Sequence, residues 1–262
     1  MTNDHVRGHR PPHGEPVLDR AFKILACFGP ADRTLSPAEL SARTGLPKTT
    51  TLRLTAKLAA LGALERTSDG RYTVGLRLLE VASLAPRGHG LRAAALPYMQ
   101  DLHHATRQHV LLAVRDGHEA VLVDRLSARG AGRVLYRVGG RMPLHSTGVG
   151  LVLLAHAPGE VQEQVLATQL QLEPEHAQMP ARELRARLAS VRHDGVAVIS
   201  RPQPDPMTSV ATAITEGPGQ VTAALSVVTR SEQVEPAVLT PAVIAVARAI
   251  SRALSGGRDG QA

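Results

Sequence analysis

One segment of the sequence concentrates positive charge with no acid to balance it. From Leu40 to Leu64 the chain carries four cations and neither Asp nor Glu. Thr49, Arg53 and Lys57 recur at intervals of four, so a helix would place them on one face. A basic face of this kind is typical of contact with the phosphates of a nucleic acid. A solvated helix surface without a partner is the alternative reading.

The residues around this segment predict two helices joined by a short turn. Ser36-Pro37-Ala38-Glu39 has the pattern of a capping box with proline at the first helical position. Gly45 suits the left-handed backbone that ends such a helix. Pro47 then opens a helix from Lys48 to Leu61. Its expected apolar stripe consists of Thr51, Leu54, Leu58 and Leu61.

A helix precedes this pair and a hairpin follows it. Apolar residues at helical spacing predict a helix from Val17 to Phe28. After Gly62, two short alternating runs, residues 63–67 and 71–75, flank Ser68-Asp69-Gly70, and Asp-Gly at such a junction is a strong hairpin signal. Helix, turn, helix and hairpin in this order predict a winged helix-turn-helix domain over residues 17–75.

In such a domain the second helix of the pair enters the DNA major groove. Arg53 suits guanine or a phosphate, and the lysines suit phosphates. A winged helix that contacts only protein is the alternative. The candidate DNA-binding residues are Lys48, Thr49, Thr50, Leu52, Arg53 and Lys57 on the helix, with Arg66 and Arg71 beside the hairpin tip.

The rest of the chain mixes helices with strands that group as antiparallel sets, which indicates an α+β fold. We expect a linker helix and hinge at 76–90, an effector-binding domain at 91–255, and loose tails at 1–16 and 256–262. The predicted helices span 91–108, 151–156, 160–170, 181–192 and 237–254, and the predicted strands span 110–115, 120–126, 134–138, 196–200, 209–214 and 221–228.

The loop before residue 151 is the best candidate ligand site. Ser146 and Thr147 offer hydroxyls at the start of a helix, and Gly148 and Gly150 would let a ligand approach the backbone. The helix dipole favours a carboxylate at this point. His145 is a further candidate anion ligand. The alternative is structural: Thr147 caps the helix and the glycines shape a tight loop.

Composition and motifs exclude several classes. The chain has 262 residues, a net charge of +7 and one cysteine, so neither a disulfide nor a multi-cysteine metal site is expected. The longest apolar run, Val149–Ala155, is too short to span a bilayer, and the polar N-terminus does not resemble a signal peptide. We therefore expect a cytoplasmic protein.

Neither catalysis nor a cofactor is expected. The sequence has no nucleophile elbow, phosphate loop or dinucleotide fingerprint. His103, His104 and His109 lack the spacing of a helical zinc pair, so we expect no metal site.

Several segments together resemble the IclR (isocitrate lyase regulator) family of bacterial transcription factors. They lie in a fixed order that covers the chain from about Val17 to Leu254, so the match is more specific than a lone helix-turn-helix. The segments are Val17–Leu25, Leu40–Thr50, Arg71–Leu79, Met142–Gly150 and Ala223–Val227.

The resemblance implies a regulator, with repression favoured over activation. It would bind a pseudo-palindromic operator as a homodimer or a dimer of dimers, and a GAF-like antiparallel domain would sense a small organic acid. The resemblance also places Met142, Ser209 and Ser226 at the effector pocket. A winged-helix protein-interaction module, or a small-molecule-binding protein outside transcription, is the alternative.

Two positions and one segment depart from the family pattern. Leu52 replaces a polar DNA-facing residue, which suggests contact with a thymine methyl group. Leu151 stands where a basic residue is common. Residues 200–206 carry three prolines, which stiffen this stretch, in place of the usual glutamate and glycine.

Overall fold

The computed structural model describes residues 15–172, 180–201, 206–217 and 219–256. It divides the chain into two compact units, Met1–Leu84 and Ala85–Ala262. Most of the predicted loose tails, together with residues 202–205 of the proline-rich departure, lie outside the described residues.

The first unit is a winged helix-turn-helix, as the sequence predicted. A two-stranded antiparallel hairpin follows three helices, and a fourth helix follows the hairpin. The elements are α1 (Val17–Ala26), α2 (Pro37–Thr44), α3 (Lys48–Ala60), β1 (Leu64–Arg66), β2 (Tyr72–Val74) and α4 (Leu76–Ser83).

Local chemistry fixes the ends of α2. The Ser36 hydroxyl accepts a hydrogen bond from the Glu39 backbone N–H, and the Glu39 carboxylate accepts one from the Ser36 N–H at 2.7 Å. This is the predicted capping box. Gly45 ends the helix with φ of 70°, a conformation that glycine adopts without strain.

The core of the first unit gathers one face of each element. Ile24, Leu40 and Leu64 are fully buried in it. On α3 the buried positions are Thr51, Leu54 and Thr55, and each threonine hydroxyl donates to a carbonyl one turn earlier. The predicted stripe was wrong at Leu61, which is 59% exposed because α3 has already ended there.

The second unit is built around a six-stranded sheet whose neighbouring strands are all antiparallel, in the order β5-β4-β3-β8-β7-β6. A π-helical turn, Pro86–Gly90, precedes it. The strands are β3 (His109–Asp116), β4 (Glu119–Leu126), β5 (Arg141–Pro143), β6 (Val196–Arg201), β7 (Met207–Thr215) and β8 (Val221–Arg230), and the helices are α5 (Leu91–Thr106), α6 (Gly148–Ala155), α7 (Gly159–Leu172), α8 (Ala181–Asp194) and α9 (Pro236–Gly256).

Helices cover both faces of this sheet. Leu111 on β3 packs in a core with residues of α6 and α8, whereas Leu112 packs in a separate core with α5 and α9. The two-residue period of a strand sends these neighbours to opposite faces. The result is the α/β domain with an antiparallel sheet that the sequence and the family resemblance indicated.

Two predictions near the expected ligand loop were wrong. Residues 134–138 form an irregular segment rather than a strand, and the strand pairing with β4 is instead Arg141–Pro143. The sequence pattern could not exclude a strand at residues 134–138, because apolar residues do recur there at every second position. In addition, α6 begins at Gly148 rather than Leu151, since Thr147 supplies the cap.

The helix α9 is long and apolar enough to cross a membrane by length and composition, although Arg248 and Arg252 interrupt its apolar run. In the second unit its residues Leu239, Val243, Ala247 and Ile250 are buried in the core that it shares with α5 and the sheet. One face of α9 therefore packs on this core.

The capping box yields a first testable prediction. We expect Ser36→Ala to destabilise α2 by about 1 kcal/mol, because one N-terminal N–H loses its acceptor. Hydrogen-exchange mass spectrometry of the purified chain should then show about fivefold faster exchange in the α2 peptide. Ser68→Ala, in the exposed hairpin turn, is the matched control. Equal exchange in the two variants would contradict the capping role.

Candidate functional site

The first unit presents a cationic surface on α3. Lys48, Thr49, Arg53 and Lys57 are exposed, opposite the buried Thr51 and Leu54. Leu52 is 51% exposed and Thr50 is half-buried. No ion pair within the described part of the chain involves Lys48, Arg53 or Lys57. Their charges therefore face solvent, where phosphates can approach.

The N-terminus of α3 differs from that of α2. The N-cap residue of α3 is Pro47, and no side chain forms a capping hydrogen bond there. The first backbone N–H groups of an uncapped helix need acceptors, and the helix dipole favours an anion at this position. This end of α3 therefore suits a phosphate, in agreement with the candidate residues Lys48 and Thr49 beside it.

The two hairpin arginines occupy different environments. Arg66 is exposed. The Arg71 guanidinium instead donates to the Thr34 carbonyl and forms an ion pair with Glu39 Oε2, both at 2.9 Å. Hydrogen bonds from Ser36, with support from Arg71, lower the pKa of Glu39 to about 2. Arg71 thus links the hairpin to α2. The sequence predicted Arg71 only as a DNA contact and did not predict this structural role.

The second unit contains a cavity of about 100 Å³ on one face of its sheet. The register of the strands explains which side chains of the sheet form the floor of this cavity. Ser226 pairs with Leu111 on β3, Ser209 pairs with Val228 and Ile199, and every one of these side chains lies on the same face. The lining consists of Leu111, Arg133, Val134, Leu135, Tyr136, Met142, Ser146, Thr147, Gly148, Val149, Ile199, Arg201, Met207, Ser209, Ser226 and Val228.

Six of the eight predicted effector residues line this cavity, and two do not. Those that line it are Met142, Ser146, Thr147, Gly148, Ser209 and Ser226. His145 and Gly150 are absent from its lining.

Gly150 has a packing role. A Cβ at this position would lie 2.5 Å from the Pro143 carbonyl oxygen and 2.5 Å from Thr147 Oγ1, distances that a real side chain does not tolerate. The glycine therefore lets the start of α6 lie against the preceding loop. It does not open the backbone to a ligand.

Thr147 also acts structurally. Its hydroxyl accepts a hydrogen bond from the Gly150 N–H at 3.1 Å and donates one to the Pro143 carbonyl at 2.8 Å. Capping was the alternative reading of this residue, and the structure supports it. Thr147 lines the cavity, but its hydroxyl already forms hydrogen bonds with Gly150 and Pro143.

Sequence reasoning missed two cations in the lining, Arg133 and Arg201. None of the described lining residues is acidic. Arg201 ends β6, two residues after Ile199, so both side chains lie on the cavity face. The alternation along β6 is visible in the sequence, but the sequence does not indicate which face of β6 lines the cavity. The cavity is therefore electropositive and suits an anion.

The cavity also contains a polar atom that lacks a partner. Ser226 is 1% exposed, and within the described residues its Oγ makes no hydrogen bond. A buried hydroxyl without a partner costs free energy, about 1–3 kcal/mol in mutational series. A ligand that bonds to Ser226 would recover this cost.

A buried histidine holds the segment that leads into the cavity wall. His109 Nδ1 accepts a hydrogen bond from the Ala128 N–H at 3.1 Å, and Nε2 therefore donates to the Gly132 carbonyl at 3.0 Å. Both ring nitrogens are used by the neutral form. Burial lowers the pKa of His109, and the nearby Arg125 and His103 act in the same direction.

Comparison with protein-family models gives two matches. The model described as the IclR helix-turn-helix domain matches residues 17–68. The model described as the C-terminal part of the bacterial transcriptional regulator IclR matches residues 85–255. The first match covers more than half of the first unit, and the second covers nearly all of the second unit.

Named relatives and solved structures agree with these matches. The transcriptional repressor AllR of Escherichia coli K12 is 30% identical over 236 residues, 87% of each chain, and the regulator XynR of the same strain is 29% identical over 225 residues, 85% of this chain and 89% of XynR. An IclR homologue from Microbacterium hydrocarbonoxydans in complex with 4-hydroxybenzoate superimposes with a TM-score of 0.81 at 30% identity, over 92% of this chain and 100% of that one.

His109 yields a pH prediction. The folded chain has a His109 pKa below the ordinary value of 6.5, so the unfolded chain binds the proton more readily. Stability is therefore fully present above pH 6.5 and falls as the pH drops toward the folded pKa. Melting temperatures measured between about pH 5 and pH 7.5 should decline at the acid end, less steeply in His109→Gln. Parallel curves for the two proteins would exclude His109 as a cause.

Proposed function

Because this chain belongs to the IclR family of bacterial transcriptional regulators, we propose that it is a metabolite-responsive repressor that binds a pseudo-palindromic operator. The observation that carries the DNA-binding part is the cationic face of α3, formed by Lys48, Arg53 and Lys57. These cations form no ion pair within the described residues, and they lie beside a helix N-terminus without a side-chain cap. Repression follows the named relative AllR, which is a repressor. We place its action in the cytoplasm, where its DNA is, and assign it no catalytic step.

A homodimer is part of the proposal. Large apolar side chains are exposed on two helices of the first unit: Phe22 of α1 at 71%, and Leu76 and Leu79 of α4 at 67% and 65%. Burial of these side chains against a partner would remove their apolar surface from water, which favours association. A second copy of the chain is the occupant that a two-fold symmetric operator requires. Pairing of two such dimers would give the dimer of dimers.

The cavity of the second unit is the proposed effector site. Two arginines and no acid among its described lining residues favour a small organic acid. The 4-hydroxybenzoate bound by a relative of 30% identity is an acid of this kind. The sequence also allowed a winged helix that binds only protein, and the salt dependence of DNA binding distinguishes the two functions.

The first experiment is binding of the purified protein to the DNA upstream of its own coding sequence, against scrambled competitor DNA. We expect sequence-specific binding whose affinity falls steeply with salt, with a log–log slope near −0.9 for each phosphate contacted. Binding that ignores both salt and sequence would contradict the role assigned to α3.

A substitution of Arg53 tests the same surface. We expect Arg53→Ala to weaken operator binding by about tenfold or more and to leave the dimer intact, because the side chain is exposed and outside the core. Fluorescence anisotropy would measure DNA affinity, and analytical ultracentrifugation would measure the dimer. Arg185→Ala, whose arginine pairs with Glu163 in the second unit, is the control. Unchanged DNA affinity, or dissociation of the dimer, would refute the assignment.

Regulation requires that effector and operator binding be thermodynamically coupled. Whatever factor the effector imposes on operator affinity, the operator must impose on effector affinity, typically about 5–150-fold. Calorimetric titration of small carboxylic acids, beginning with 4-hydroxybenzoate, into free protein and into the protein–operator complex measures both. Identical effector affinities in the two titrations would show that the cavity does not control DNA binding.

A further inference from the structure

Two residues that line the cavity of the second unit each carry a buried polar atom with no hydrogen-bond partner among the described residues. Ser226 Oγ is buried in the middle of β8, and Arg201 Nε is buried at the end of β6. Neither atom has a hydrogen-bond partner within the described residues. Both side chains belong to the lining of the same cavity, so one ligand can reach both.

Register separates these two groups along the floor. Arg201 pairs with Met207, which pairs with Arg230, four residues beyond Ser226 on β8. At 3.3 Å per residue and 4.8 Å between strands, the two backbone positions are about 13 Å apart along the strands and about 10 Å across them. An arginine side chain is long enough to span part of this separation. A ligand that contacts both must therefore be elongated.

The rest of the cavity lining combines apolar side chains with a few hydroxyl and guanidinium groups. Apolar side chains, such as Val134, Ile199 and Val228, make up most of it. Ser209 adds a second hydroxyl midway between Ser226 and Arg201, because it lies on the intervening strand, two residues from Ala211, which pairs with Ser226, and two residues from Met207, which pairs with Arg201. Arg201 carries a full positive charge at its end of the cavity, and Arg133 adds another to the lining.

These observations decide where the charge of a ligand belongs. A guanidinium offers full charge and several donors to a carboxylate, whereas a helix N-terminus offers a partial charge. The Thr147 hydroxyl at that N-terminus is already engaged with Gly150 and Pro143. A carboxylate therefore gains more at Arg201 than at α6.

We propose that the cavity selects an acid whose apolar body carries a second oxygen group at the far end, with the carboxylate on Arg201 and the far oxygen on Ser226. Arg201 and Ser226 are then the residues that determine specificity. This inference rests on the proposed effector role of the same cavity and adds the ligand class and its orientation.

The test uses matched probes on the full-length protein. 4-Hydroxybenzoate and 4-hydroxyphenylacetate carry both groups, benzoate lacks the far oxygen, and 4-hydroxybenzamide lacks the charge. By calorimetry, we expect at least one of the two hydroxy acids to bind and both single-group probes to bind about tenfold or more weakly than it. A hydrogen bond to a charged group and the cost of an unpaired buried hydroxyl are each of that size.

Variants assign each group to its residue. Arg201→Gln should weaken hydroxy-acid binding about tenfold or more and leave the affinity for 4-hydroxybenzamide unchanged. Ser226→Ala should weaken hydroxy-acid binding to the level of benzoate and leave benzoate binding unchanged. Arg201→Lys, which keeps the charge, should recover part of the affinity. Controls are Arg185→Gln and Ser190→Ala, whose side chains form exposed contacts outside the cavity.

The contrary outcomes are specific. If neither hydroxy acid binds, or if acid and amide bind equally, the ligand class is wrong. If Arg201→Gln weakens acid and amide alike, Arg201 is structural rather than selective. Operator binding by the same preparations separates these failures from failure of the proposed function: specific DNA binding with the wrong ligand pattern overturns only this inference.

Discussion

The arrangement of the second unit depends on the two-residue alternation of an antiparallel sheet with helices on both faces. Because Leu111 and Leu112 point in opposite directions, β3 contributes to two separate cores. The same parity, transmitted by register across β8, β7 and β6, brings Ser226, Ser209 and Arg201 to one face. A slip of one residue in any of these strands would turn its cavity residues into the opposite core.

Polar side chains in this protein serve either structure or recognition, and their hydrogen bonds distinguish the two. Thr147, Gly150 and Pro143 satisfy one another at the start of α6, and Glu39 does the same for Ser36 and Arg71 in the first unit. Ser226 and Arg201 Nε lack such partners within the described residues. Unsatisfied groups at the cavity, beside satisfied ones in the loop that shapes it, support the proposed assignment of this cavity as a binding site.

Charge follows the same division between the two units. On α3 the cations are exposed and unpaired within the described residues, which suits a large polyanion that approaches from solvent. In the cavity the arginines stand beside an apolar lining, where a small anion would be largely desolvated. The proposed DNA contact would therefore depend on salt, and the proposed effector site would distinguish an acid from its neutral analogue.

Local sequence determined much of this protein. The capping box at Ser36, the left-handed Gly45 and the Asp69-Gly70 hairpin turn each depend on neighbours a few residues away, so the winged helix-turn-helix was predictable. What required tertiary structure depends on distant residues. Arg71 pairs with Glu39 across 32 positions, residues 134–138 alternate without pairing as a strand, and Arg201 reaches the cavity only because the register of β6 with β7 sets its face. A sequence pattern records which side chains share a face, but only the packing of the sheet decides what that face meets.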